Sequence, residues 1–306
     1  MKTSRYIPVV VLVAFFVILF AGILFFQPKK ITSTEKLRVV ATSTQMYDFV
    51  KNIGGDKIEL SGLMSAGIDP HEYEATAEDA QKIVNAQVIV QNGLGLETRF
   101  HQLIDNAPQS TKRFTAADYI QSLPGDEEDP AGDPHIWFSV KNAKQIADAL
   151  AEKFGEWDPD NKSYYQNNKS EYIKKLDELD TYIKQQVGTI PERNRKLVTN
   201  HDVFGYYANE YGFTVEGSII PSLTTDAQPS AKDIAALISK IKSEGITAIF
   251  SESSINPKLA QQIAQEAGVK VDSTLYADSL GMPGSPGETY IGMMKYNTDT
   301  IVKALK

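Results

Sequence analysis

Three of the four histidines occur in settings that suit metal chemistry. His71 follows Asp69-Pro70 and His135 follows Asp133-Pro134, so the triplet Asp-Pro-His occurs twice; His201 follows Thr199-Asn200. His71 lies a few residues beyond a strand-like run and His201 directly after one, and in open parallel sheets ligand groups gather beyond the carboxyl ends of the strands. Neutral imidazoles are good ligands for divalent transition metals, and three of them suit zinc. A carboxylate is the natural fourth partner. Asp278, just past the strand-like run 269–275, is the best placed, although a loop or capping aspartate would look the same in sequence. Glu252, in Ser251-Glu252-Ser253-Ser254, sits at another strand end, where it would either support a ligand histidine or cap a helix. A lone histidine is more often structural than ligating; three in comparable places reverse that expectation. His101, among Phe100, Gln102 and Leu103 on a helical segment, reads as structural or surface.

Composition narrows the chemistry further. The 306 residues include no cysteine, which excludes disulfides, thiolate metal sites and a lipid-modified cysteine anchor. Any metal site must be built from His, Asp, Glu and backbone oxygens. A net charge of −8 argues against nucleic acid, whose phosphates demand a basic surface. Near the start, residues 7–26 carry no charge or strongly polar side chain, with Lys2 and Arg5 before them and Lys29 and Lys30 after. As a helix this run would span ~30 Å, the hydrocarbon thickness of a bilayer. We read residues 1–30 as a membrane anchor at the outer face of the cytoplasmic membrane, with a cleaved signal peptide and secreted or periplasmic protein as the rival. Residues 31–36 then form a polar linker.

The elements that must position the histidines alternate between strand and helix. Strands are expected at 37–42, 58–64 and 88–91, with helices at 45–53, 77–86 (Thr76 as N-cap), 97–105 and 142–154. A second series follows, with strands at 196–199, 214–219, 246–250 and 269–275 and helices at 203–211, 231–243, 257–267 and 290–305. Between them, Asp158-Pro159 opens a long polar helix to about residue 187, which suggests a solvent-bridging strut. The expected fold is α/β: two parallel-sheet lobes, 37–157 and 189–306, joined by a long linking helix, 158–188, with the metal site in the cleft between lobes. His71 and His135 would come from the first lobe and His201 from the second.

The segments IDPHEYEAT (68–76), QNGLGLE (91–97), GDPHIWFSVKNA (132–143), NHDVFGYYANEYG (200–212) and YADSLGMPGSPGETYIGMMKYN (276–297) resemble the zinc/manganese-binding receptors of ABC importers. The resemblance runs in order from about residue 37 to the end. It implies two α/β lobes on one rigid helix and the ligand set His71, His135, His201 and Asp278. It implies further that the chain delivers zinc, or next manganese, to an ABC permease in the membrane, acting as a monomer and not as an enzyme. There are three departures from the pattern. The chain has no cysteine to lipidate, so an uncleaved apolar anchor would replace it. The stretch before the second ligand, Ser122 to Asp133, is acidic and has no histidine. Trp137-Phe138-Ser139-Val140 stands where relatives carry Trp-Leu-Asp-Pro.

Two other readings stand beside this one. A three-histidine zinc site with an open position would activate water in a hydrolase, but the chain has no His-Glu-x-x-His pair and Asp278 would fill the fourth position. Alternatively, an anchored adhesion or scaffold protein would hold a metal only for its structure. Gly93-Leu94-Gly95 begins a dinucleotide fingerprint, but Thr98 stands in place of the third glycine.

Overall fold

The structure, a computed structural model, describes residues 35–125 and 130–306. The expected anchor, residues 31–34 of the linker and the acidic run Asp126 to Asp129 lie outside the described residues.

The first half is a βα alternation. Strand β1 (Leu37–Ala41) leads to helix α1 (Thr44–Gly54), capped by the Ser43 hydroxyl, and on to β2 (Ile58–Gly62). Helix α2 (Ala77–Asn85) begins in a capping box, with Thr76 and Asp79 each accepting from the other's backbone N–H. Next come β3 (Val88–Gln91), the short α3 (His101–Asp105) and β4 (Lys112–Thr115). The four strands form a parallel sheet in the order β2-β1-β3-β4. Side chains alternate across it: Val39, Ala41, Val88 and Val90 enter one core, Val40 and Ile89 another with Ile83, Phe100 and Ile104. That alternation on apolar runs is what a sheet buried on both faces requires.

Helix α4 (Val140–Trp157) packs on α1 and leads through a one-turn segment at Pro159–Asn161 into α5 (Lys162–Val187). At 26 residues, α5 runs about 39 Å. It links the halves as expected but does not bridge solvent. Tyr165, Tyr172, Leu176, Leu179, Ile183 and Val187 are buried against the main core, and its polar face carries ion pairs such as Lys169–Asp148 and Lys144–Asp177.

The second half contains β5 (Lys196–His201), α6 (Gly205–Tyr211), β6 (Thr214–Ile220), α7 (Ala231–Ser243), β7 (Ala248–Glu252), α8 (Lys258–Ala267) and β8 (Lys270–Leu275). β5 pairs with β6 and β7 with β8, all parallel, and β5 lies beside β7. Val198 and Ile249 face α7 and α8, whereas Leu197, Ala248 and Phe250 join the main core. The closing helix α9 (Tyr290–Leu305) packs on α5 and returns to the first half. There the Tyr290 ring meets Phe49 edge-on at 4.8 Å, and its hydroxyl donates to the Trp137 carbonyl. Among the described residues no helix is long and apolar enough to cross a membrane.

Two further differences concern the first half. The helix at 97–105 is a 3-10 turn, Thr98–Phe100, followed by only five α-helical residues. β4 was not expected: in Lys-Arg-Phe-Thr only Phe114 is buried, so the segment has no apolar alternation to read.

Candidate metal centre

The candidate ligands come from four separate segments of the chain. His71 lies between β2 and α2, His135 just before the turn Ile136–Phe138, His201 at the last residue of β5, and Asp278 three residues past β8. All four are buried, and one donor atom from each comes within 4.8 Å of the other three. The Nε2 atoms of His135 and His201 are 3.3 Å apart, and Asp278 approaches them with Oδ1 at 3.5 Å and Oδ2 at 3.4 Å. Ligands ~2.0–2.1 Å from a tetrahedral ion are spaced ~3.3–3.4 Å from each other, so these separations match the edges of a coordination shell. Both Asp278 oxygens and the His71 Nε2 are buried without a hydrogen-bond partner. Unpaired buried polar atoms are costly; three aimed into one space fit a cation.

Each ring is oriented differently. Asp133 Oδ1 accepts from the His135 backbone N–H at 2.9 Å and faces its Nδ1 at 2.7 Å. That fixes the tautomer and turns Nε2 toward the centre. The carboxylate is lodged tightly, since a Cβ on Gly205 would lie 2.8 Å from Asp133 Oδ2. Glu252 does the same for His201, with Oε1 accepting the backbone N–H at 3.0 Å and Oε2 facing Nδ1 at 2.7 Å; Asn200 Oδ1 in turn accepts the Glu252 N–H. Of the two roles open to Glu252, the structure places it against the ring. Among the described residues no hydrogen bond holds the His71 ring; its loop is set instead by its backbone N–H to Asp69 Oδ1 at 2.9 Å.

Asp278 is placed from both halves. Asn297 clamps the backbone of Tyr276, accepting from its N–H at 3.0 Å and donating to its carbonyl at 2.6 Å. The Ala277 carbonyl accepts from Trp137 Nε1 and Gln45 Nε2. In Trp137-Phe138-Ser139-Val140, both the Trp that relatives share and the Ser139 that departs from their pattern have a place here. Trp137 packs edge-on to His135 at 5.4 Å while tethering the Asp278 loop, and Ser139 caps α4 and bonds Glu210. Asp133 lies in the repeated triplet and Asn297 at the end of a family-like segment, whereas Gln45 has no signal in the sequence. His101 is exposed and bonds only its own turn, through Nδ1 to the Thr98 carbonyl.

The electrostatics call for positive charge. Burial, reinforced by the neighbouring histidines, pushes His71 and His135 well below the usual imidazole range. Burial also opposes charge on His201, but Glu252 and Asp278 outweigh it and hold that ring at about 10. Burial drives Asp278 well above the ordinary carboxylate range; His201 pulls it back, while Asp69, Glu252 and Asp133 push it higher. A divalent ion would relieve this accumulation of buried carboxylates.

Comparisons with known proteins identify the family. Residues 39–304 match the family described as zinc-uptake complex component A, periplasmic. The chain is 34% identical over 285 residues to the manganese ABC transporter substrate-binding lipoprotein PsaA of Streptococcus pneumoniae, covering 90% of this chain and 92% of that one. It is equally similar to the manganese-binding lipoprotein MntA of Bacillus subtilis, with the same coverage. Among solved structures, the periplasmic zinc-binding protein TroA of Treponema pallidum superposes with a TM-score of 0.83 at 35% identity, over 89% of this chain and 99% of that one. The chain belongs to the zinc-uptake component A (ZnuA) family.

Proposed function

We propose that this protein is the extracytoplasmic substrate-binding component of a metal ABC importer and that its cargo, zinc or manganese, is held by His71, His135, His201 and Asp278. The observation that carries the reading is the convergence of three imidazoles on a carboxylate whose two oxygens are both buried without a hydrogen bond. Relatives named for manganese and a structural neighbour named for zinc support a divalent first-row ion. By affinity order the imidazoles favour zinc. The second Asp278 oxygen offers manganese a fifth donor. Residues 37–157 and 189–306 would act as two lobes about the linking helix, the ion entering between them and passing to the permease. The related chains are named lipoproteins. Without a cysteine, this chain would use the apolar run 7–26 to stay at the outer membrane face, as a monomer.

The test is calorimetric titration of metal-stripped protein with zinc and with manganese, beside a His201→Ala variant. One tight equivalent, lost in a folded variant, supports the reading. No binding of either ion by folded protein contradicts it. A metal without which the chain does not fold would point to a structural ion instead.

A further inference from the structure

The two Asp-Pro-His triplets use their aspartates differently. Asp133 bonds both the backbone and the ring of its own histidine. Asp69 bonds only the backbone of His71, and its second oxygen accepts from the Thr225 hydroxyl at 2.8 Å, across 156 residues of sequence. Thr225 is buried, on the loop that follows β6 in the second half. The start of that loop is tied beside another candidate ligand, for the Ser222 carbonyl accepts the N–H of Asp202, the residue after His201. The segment 222–225 therefore straps the loop bearing His71 to the strand end bearing His201. His71 is also the most accessible of the four, at 7% exposure against 0%, 0% and 2% for His135, His201 and Asp278.

We propose that Asp69 and Thr225 form a clasp across the cleft that sets how long the ion stays bound, with Asp69 as the positioning residue for His71 and His71 as the ligand that lets go first. The inference rests on the functional reading above. The physical reason is that His71 has no carboxylate on its ring, so its position depends on its loop, and the loop's nearest tie to the second half is the Thr225 bond. The neighbouring Arg99–Asp226 ion pair at 3.0 Å also crosses the cleft, but its side chains are 41% and 47% exposed and such pairs contribute little. A further tie, the Gly67 N–H to Ser279 Oγ at 2.7 Å, lies four residues before His71 and keeps the loop from opening fully.

The experiment compares wild type with Thr225→Val, which keeps the shape and removes the donor, and Thr225→Ser, which keeps the donor. Protein loaded with zinc or manganese is mixed with excess chelator and ion loss is followed in time. Because the lost hydrogen bond is to a carboxylate, the valine variant should release the ion about tenfold faster, with association unchanged within about twofold. The serine variant should behave as wild type. A valine variant with wild-type release, or a serine variant as fast as valine, overturns the clasp. In metal-free protein, backbone hydrogen exchange over residues 65–75 should quicken in the valine variant alone. That readout needs no ion: if wild type bound neither metal the functional reading would fall, and unchanged exchange would still overturn the clasp separately.

Discussion

One short motif occurs twice in this chain with opposite consequences. In Asp133-Pro134-His135 the carboxylate closes on its own imidazole, and everything around it is fixed. Asn92 donates to the Pro134 carbonyl, Tyr206 to the Asp133 carbonyl, and Trp137 lies edge-on to the ring. Asn92 is itself placed by the buried Glu97, which accepts its backbone N–H at 2.7 Å and the Thr42 hydroxyl at 2.7 Å. In Asp69-Pro70-His71 the same carboxylate looks outward to the other half, and among the described residues no hydrogen bond holds the ring. Identical local sequence thus yields one anchored histidine and one whose position depends on its loop. A binding protein that must both capture and surrender its cargo needs both kinds.

Removing a ligand from each side should have the largest effect. We expect His135→Ala to weaken metal binding by more than about a hundredfold, beyond the ~10–100-fold typical of groups that only orient a ligand. Calorimetry on folded variants, with His71→Ala beside it, measures this, and equal losses would argue against an anchored and a conditional ligand. Next comes the same substitution in both triplets. Asp133→Ala should cost ~10–100-fold in affinity because the His135 tautomer and orientation go with it. Asp69→Ala should cost about tenfold, mostly in the release rate. The reverse ranking would break the comparison.

The dependence on pH sharpens it further. His71 and His135 are held below the usual range and so are already neutral at pH 7, whereas His201 is held at about 10. Metal and proton compete for the same nitrogen, so raising pH removes the competitor and strengthens binding. The gain should continue above pH 7 rather than end near 6.5, with the His201 proton released on binding at pH 7 in addition to any proton that the raised Asp278 carboxyl carries. Titration in buffers of different ionisation enthalpy counts these protons, and loss of one from an Asp133→Ala variant but not from Glu252→Gln would place it on the wrong histidine. The smallest effect belongs to the exposed cleft pair: Arg99→Gln should change release by no more than about twofold.

Much of this architecture was legible in the sequence. Helix α9 begins and ends where its periodicity indicates, and the triplets drew attention to His71 and His135 before any geometry was known. What was hidden depends on distant partners. β4 carries a single buried apolar residue and is defined by its pairing with β3. The long helix reads as polar because its buried face is narrow, with Tyr172, Leu176, Leu179 and Ile183 spaced along a mostly charged surface. Nothing near Glu252 says whether it caps a helix or holds a ring, because His201 reaches it only when β5 and β7 lie side by side. The Thr225–Asp69 bond has no sequence signature, and local reading would have given the two triplets one role.

The most direct test of the account is anomalous diffraction from crystals of the metal-loaded protein, recorded at the zinc and manganese edges. A single strong peak about 2.0–2.3 Å from a ring nitrogen of each of His71, His135 and His201 and from a carboxylate oxygen of Asp278 is the predicted result. A peak elsewhere, or a site in which Asp278 or any of the three histidines faces away from the ion, would contradict it.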